Sequence, residues 1–174
     1  MMHYIQNPTK IQFELSTVCN ALCLGCVRTD ASFTQSKFSI PSGSYIDIEQ
    51  IFKLLKSDAM KTVTALEFCG TIDEPLVHPN FLELLEGLDK RYTIYIHTNG
   101  GLRTPTYYTK LAQILHTFSE YEMLFSLDGL ENTNHFLVCT KPGLPKSFTR
   151  KASSGSVRGI FNGPLLTEHQ QKTA

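Results

Sequence analysis

Tyr92-Thr-Ile-Tyr-Ile-His97, closed by the turn-forming Thr98-Asn99-Gly100-Gly101, is a strongly strand-prone run, dense in β-branched and aromatic residues. Its neighbours on both sides have a different period. Upstream, Phe81, Leu82, Leu84, Leu85 and Leu88 fall on one face of a helix. Downstream, a helix is expected from Thr104-Pro105, a proline suited to a first turn, with Leu111, Ile114, Leu115 and Phe118 turned inward. A strand between two helices, with further strands beyond each, is the pattern of repeated βα units around a parallel sheet.

Working outward, Thr62-Val-Thr-Ala-Leu-Glu-Phe68 reads as a strand ended by Cys69-Gly70, and Glu122-Met-Leu-Phe-Ser126 as another ended by Asp128-Gly129. Before the first of these, Asp47 is placed to cap a helix carrying Ile48, Ile51, Phe52 and Leu55 on one face. Earlier still, Lys10-Ile-Gln-Phe-Glu-Leu-Ser16 alternates with period two and gives the first strand. The Ser-, Thr- and Gly-rich run from Arg28 to Ser44 reads as a surface loop. The expected fold is therefore α/β with four strands.

In parallel βα architectures ligands bind at the carboxyl ends of the strands, where loops vary over a rigid sheet. The polar residues follow that rule. Cys19, Cys23 and Cys26 come after strand one, Asp73 and Glu74 after strand two, Thr98 and Asn99 after strand three, and Ser126 and Asp128 at the end of strand four. All four groups should converge on one face.

The cysteines carry the strongest chemical signal. Cys19-Asn-Ala-Leu-Cys23-Leu-Gly-Cys26 brings three thiols into one small volume, and a bound metal is the economical reason for them. Structural zinc usually takes four closed ligands and iron–sulfur clusters usually four thiolates, so three leave a metal position open for chemistry. Incidental burial, or a zinc site completed by a histidine, are the plainer alternatives. Elsewhere the plain readings are that Glu74 favours a helix N-terminus, that Asn99-Gly100 is a simple turn, and that Ser126 and Asp128 end a strand. His78, before Pro79, reads as a helix-entry residue and the isolated Cys69 as a small hydrophobe.

Cys-x3-Cys-x2-Cys just after a first strand resembles the radical SAM superfamily. Ile72-Asp73-Glu74-Pro75 is similar to the family's Gly-Gly-Glu-Pro-like element, Thr98-Asn99-Gly100 to a Thr-Asn-Gly element after the third strand, and Ser126-Leu-Asp128-Gly129 to its Ser-x-Asp-Gly form. The resemblance spans residues 11 to 135. It implies a partial parallel (β/α) barrel, of which about four βα units of the family's usual six can be found here. It further implies Cys19, Cys23 and Cys26 as ligands of a 4Fe-4S cluster whose fourth iron is chelated by S-adenosylmethionine (SAM). Glu74, with Asp73 beside it, would hold the methionine amino group. Asn99, Ser126 and Asp128 would be further cofactor contacts, the last two at the ribose. An electron from a reductant such as flavodoxin or ferredoxin would then cleave SAM to a 5'-deoxyadenosyl radical that abstracts hydrogen from a substrate the sequence does not name. The competing reading is an iron–sulfur binding remnant without catalysis.

Composition adds bounds. The 174 residues are 41% apolar, one domain in size. No apolar signal-peptide core precedes the first strand and no segment approaches a membrane span, so a soluble, cytoplasmic protein is expected. Five cysteines, three clustered, suit a reducing compartment better than a disulfide framework. Residues 1 to 139 hold 10 Lys/Arg against 15 Asp/Glu, and residues 140 to 174 hold 6 against 1. This split and the breakers of Lys141-Pro-Gly-Leu-Pro divide the chain into a partial core, 1–138, and a basic tail, 139–174, expected to be poorly ordered, with truncation or a frameshift as the suggested origin. The fourth strand would then be an exposed edge unless the tail, or a partner chain completing the barrel, covers it. Six dispersed basic residues without interleaved aromatics make nucleic acid an unexpected partner.

Overall fold

A computed structural model describes residues 7–23, 26–28, 43–127 and 157–161. Four parallel strands, β1 (Lys10–Phe13), β2 (Ala65–Phe68), β3 (Thr93–Thr98) and β4 (Tyr121–Leu127), lie in sequence order. Three helices link them: α1 (Ile48–Leu55), α2 (Phe81–Gly87) and α3 (Pro105–Leu115). The register is continuous across the sheet, with Phe13 beside Phe68, Phe68 beside Ile96, and Ile96 beside Met123.

Strand order decides the architecture. Parallel crossovers are right-handed almost without exception, so an order of 1-2-3-4 sends every connecting helix to the same side of the sheet. The core agrees. Ile48 and Ile51 of α1, Phe81, Leu84 and Leu85 of α2, and Leu111, Ile114 and Leu115 of α3 form one buried cluster with Phe13, Leu66, Phe68, Ile94, Ile96, Met123 and Phe125 of the strands. The Phe81 ring meets Phe68 edge-on at 5.4 Å between centroids. By the period-two rule, the alternate strand residues face away from these helices. They include Lys10, Gln12, Glu67, Tyr95, His97 and Glu122, all half-buried or exposed. The sheet is thus singly wound, with an apolar face under helices and a polar face.

Local signals set the element ends. Asp47 caps α1 by accepting from the Glu49 amide at 3.1 Å, and the Thr104 hydroxyl accepts from the Tyr107 amide at 3.3 Å ahead of Pro105 in the first turn of α3. After β3 the chain turns through Gly100, whose φ of +69° favours glycine. His78 serves the entry to α2: its Nδ1 accepts from the Asn80 amide at 3.2 Å while its Nε2 lies 2.9 Å from the Ile46 carbonyl.

Val157–Phe161, within the basic tail read from the sequence, is a fifth strand (β5) that pairs antiparallel with β4, from Leu127 beside Val157 to Met123 beside Phe161. The edge of β4 is covered, and the next described element after β4 is a strand running the opposite way where a further βα unit would place a parallel one. The described part is therefore four parallel strands with three helices, and the antiparallel β5 at the edge of the sheet. Residues 139–156 and 162–174 lie outside the described residues, as does most of the loop read between Arg28 and Ser44. Among the described residues no helix is long and apolar enough to cross a membrane.

Candidate metal and cofactor site

The carboxyl ends of β1 and β2 are clasped by two carboxylates reaching in opposite directions. From the β2 side, Asp73 Oδ2 accepts from the Leu15 amide at 2.7 Å and the Ser16 amide at 2.9 Å. From the β1 side, Glu14 accepts from the Thr71 amide at 2.7 Å and the Ile72 amide at 3.2 Å. The Glu74 amide adds a bond to the Val18 carbonyl at 3.0 Å. Gly70 is required for this fold-back, because a Cβ there would lie 2.0 Å from the Asp73 carbonyl oxygen and 2.1 Å from Asp73 Oδ1. The cysteine loop therefore leaves β1 from a fixed base.

Glu74 ties this pair of loops to β3. Its side chain is 3% exposed. Oε1 accepts from the Thr98 hydroxyl and from the Leu76 amide at 3.3 Å, and Oε2 accepts from the Asn99 amide at 2.8 Å. Burial raises its carboxyl, opposed by the Asn99, Thr98 and Leu76 hydrogen bonds and by the Arg103 charge. Arg103 in turn donates to the carbonyl of Leu76 at 2.6 Å and fixes the turn that follows Glu74. A carboxylate has about four lone-pair sites, and three of Glu74's are engaged by the chain.

Asn99 then reaches back to the cysteines. Its Nδ2 lies 2.9 Å from Asn20 Oδ1 and 3.7 Å from Cys19 Sγ, and its Oδ1 accepts from the Gly101 amide at 2.8 Å. Burial raises the Cys19 thiol, opposed by the Ala21 amide that donates to its sulfur at 3.4 Å. A bond from the Cys26 amide to the Cys23 carbonyl at 3.2 Å folds the end of the loop. Cys19, Cys23 and Cys26 are all half-buried thiols.

Among the described residues, the group of His, Cys, Asp and Glu ligand atoms lying within 4.8 Å of one another is Glu67, Cys69 and His97.

Of the residues singled out in the sequence, Cys19, Asp73, Glu74 and Asn99 are linked through direct contacts at one end of the sheet. Asp73 binds the end of β1, and Glu74 binds the end of β3. Ser126 is exposed near the carboxyl end of β4. Asp128 lies outside the described residues. Glu14, Glu67, Cys69 and His97 were not singled out as site residues. Their signal was the period-two alternation that puts Glu67 and Cys69 on one face of β2, with His97 facing the same way on β3. Cys69 is half-buried on that polar face and is not the core hydrophobe expected of an isolated cysteine.

Asp73 yields a test by pH. Burial, with Glu14 adding to it, pushes its carboxyl from 3.8 up to about 7 despite the two amides it accepts. Its Oδ1, where a proton would sit, has no hydrogen-bond partner among the described residues. Between about pH 4 and 7 the folded chain holds a proton that the unfolded chain releases, so this group's contribution to stability falls as pH rises through that window. Asp73→Asn keeps an oxygen for the two amides and removes the titration. The urea midpoint of the native protein is expected to drop more between pH 5 and pH 8 than that of Asp73→Asn, and equal drops would contradict the assignment.

No protein-family model matches the chain, and no curated protein matches it. The class that fold and site define thus rests on the geometry: an α/β protein with a singly wound parallel sheet and a cysteine-bearing site at its carboxyl end.

Proposed function

We propose that this chain is a radical SAM-type protein, with the four parallel strands forming part of a (β/α) barrel and Cys19, Cys23 and Cys26 binding a 4Fe-4S cluster. The observation that carries the reading is the contact of Asn99 Nδ2 with Cys19 Sγ at 3.7 Å, which joins the end of β3 to the thiol loop after β1. Together with Glu74 on the Asn99 amide, it brings three of the four motif elements together across 80 residues of sequence. The singly wound sheet supports the barrel, since a doubly wound sheet would divide its helices between two faces.

In this reading the three thiols anchor the cluster, and the polar end of the sheet beside them receives SAM. When bound, that pair supplies one-electron reductive cleavage of a sulfonium carbon–sulfur bond. The chain's own part is positional. Asp73 and Glu14 hold the two loops together, Glu74 fixes Thr98 and Asn99, and Asn99 fixes Cys19. A reductant such as flavodoxin or ferredoxin would be the electron source, and the substrate is open.

A second reading, an iron–sulfur protein that does not cleave SAM, draws support from two observations. Three of Glu74's acceptor positions are engaged within the chain, and the parallel run ends at the antiparallel β5. Anaerobic incubation of the cluster-loaded protein with dithionite and SAM separates the two. Methionine and 5'-deoxyadenosine accumulating beyond a protein-free control is the expected result; a stable cluster with no cleavage would leave only the second reading.

A further inference from the structure

The polar face of the sheet carries a second constellation, independent of the cysteine trio. Phe68 of β2 pairs with Ile96 of β3, so the residues one step further on, Cys69 and His97, come side by side. Glu67, two residues before Cys69, faces the same way. One ligand atom from each of Glu67, Cys69 and His97 lies within 4.8 Å of the other two, and all three side chains are half-buried. His97 Nε2 stands 3.1 Å from Glu67 Oε1, while Lys10 holds the other carboxylate oxygen, Oε2, at 2.7 Å. The Lys10 ammonium itself rests 4.4 Å over the Tyr95 ring.

The geometry points to a mononuclear zinc site formed by Glu67, Cys69 and His97. The donor set selects the metal. Calcium and magnesium take oxygen ligands, whereas one thiolate, one imidazole and one carboxylate suit a borderline divalent ion such as zinc. Zinc at about 2.0–2.3 Å from each ligand spaces neighbouring donors by roughly 3.3–3.8 Å, a spacing that donors already within 4.8 Å of one another reach by a small side-chain adjustment. The ion would take the place of the proton between His97 Nε2 and Glu67, the neutral imidazole then carrying its one proton on Nδ1, and Cys69 would release its thiol proton to solvent on binding. Lys10 serves as the carboxylate's outer partner, keeping Oε2 occupied and Oε1 turned toward His97. The carboxylate of Glu14, near Cys69, adds negative charge around the ion. Three protein ligands leave the fourth tetrahedral position to water or to a ligand, the arrangement of reactive zinc sites.

The test uses the full, reduced chain without an iron–sulfur cluster. Iodoacetamide alkylation is followed cysteine by cysteine by peptide mass spectrometry, with and without added zinc. Zinc is expected to slow alkylation of Cys69 by about tenfold or more, and His97→Gln is expected to abolish that protection. Losing an outer-shell partner costs about 10–100-fold in affinity, so losing a ligand should cost at least that. Cobalt(II) gives a second readout: a thiolate charge-transfer band of one equivalent that persists when Cys19, Cys23 and Cys26 are all serine and disappears in Cys69→Ser. Alkylation of Cys69 at the same rate with and without zinc would overturn the proposal. So would a zinc effect on Cys69 that His97→Gln leaves intact. Neither outcome touches the 4Fe-4S reading, which concerns other thiols.

Discussion

Serine in place of Cys19, Cys23 or Cys26, one at a time, is expected to bring the iron and acid-labile sulfide of the reconstituted protein from about four each per chain to near zero. A cluster held by three thiolates has no ligand to spare, and a serine hydroxyl is a far poorer iron ligand than a thiolate. Fold loss would not explain such a result, because all three side chains lie half-buried outside the core cluster. Far-ultraviolet circular dichroism and the urea midpoint are therefore expected to stay close to those of the native apo-protein. Cys69→Ser is the control, with the iron content unchanged. Iron retained at native levels in any of the three variants would remove that cysteine from the ligand set.

Glu74→Ala is expected to destabilise the protein by about 2–4 kcal/mol. It leaves the Thr98 hydroxyl and the amides of Asn99 and Leu76 without their acceptor in a buried site, and each buried donor left unpaired costs roughly 1–3 kcal/mol. The estimate is held below the simple sum because the variant also removes a carboxylate that burial disfavours. Glu74→Gln should lose only about 1 kcal/mol, since its amide oxygen can face the Asn99 amide while its nitrogen donates to Thr98 Oγ1. Urea unfolding of the three apo-proteins checks the order. The same pair of variants separates two roles of Glu74. If it acts only by fixing Asn99, the Gln variant keeps a SAM-responsive cluster; if it meets the SAM amino group directly, the Gln variant keeps its stability and loses the response to SAM.

What the sequence disclosed follows from which forces are local. The helix faces of α1, α2 and α3 and the alternation in β1 and β3 were legible because burial under one set of helices imposes a period on each segment separately. Asp47, Thr104 and Pro105 announced helix starts for the same reason, a capping bond being made within a turn. The meeting of Cys19, Asp73, Glu74 and Asn99 was legible one level up, from the rule that loops at the carboxyl ends of parallel strands share a face. Their exact partners were not. That Asp73 holds Leu15 and Ser16, and that Glu74 spends its oxygens on Thr98 and Asn99, depends on how far each loop folds back, which Gly70 sets through space. β5 was missed because Val157-Arg-Gly-Ile-Phe161 has a glycine at its centre and follows a run of breakers, so its strand character comes from pairing with β4 and not from its own residues. The Glu67, Cys69 and His97 group was invisible because it needs the β2–β3 register.

The central claim is that the three cysteines hold a cluster with one iron open to SAM, and EPR of the anaerobically reconstituted, reduced protein with and without SAM tests it most directly. The account predicts a reduced-cluster signal whose g values shift when SAM is added. A cluster signal indifferent to SAM would contradict the open-iron claim, and the absence of any cluster, with Cys19, Cys23 and Cys26 remaining freely reactive, would contradict the account as a whole.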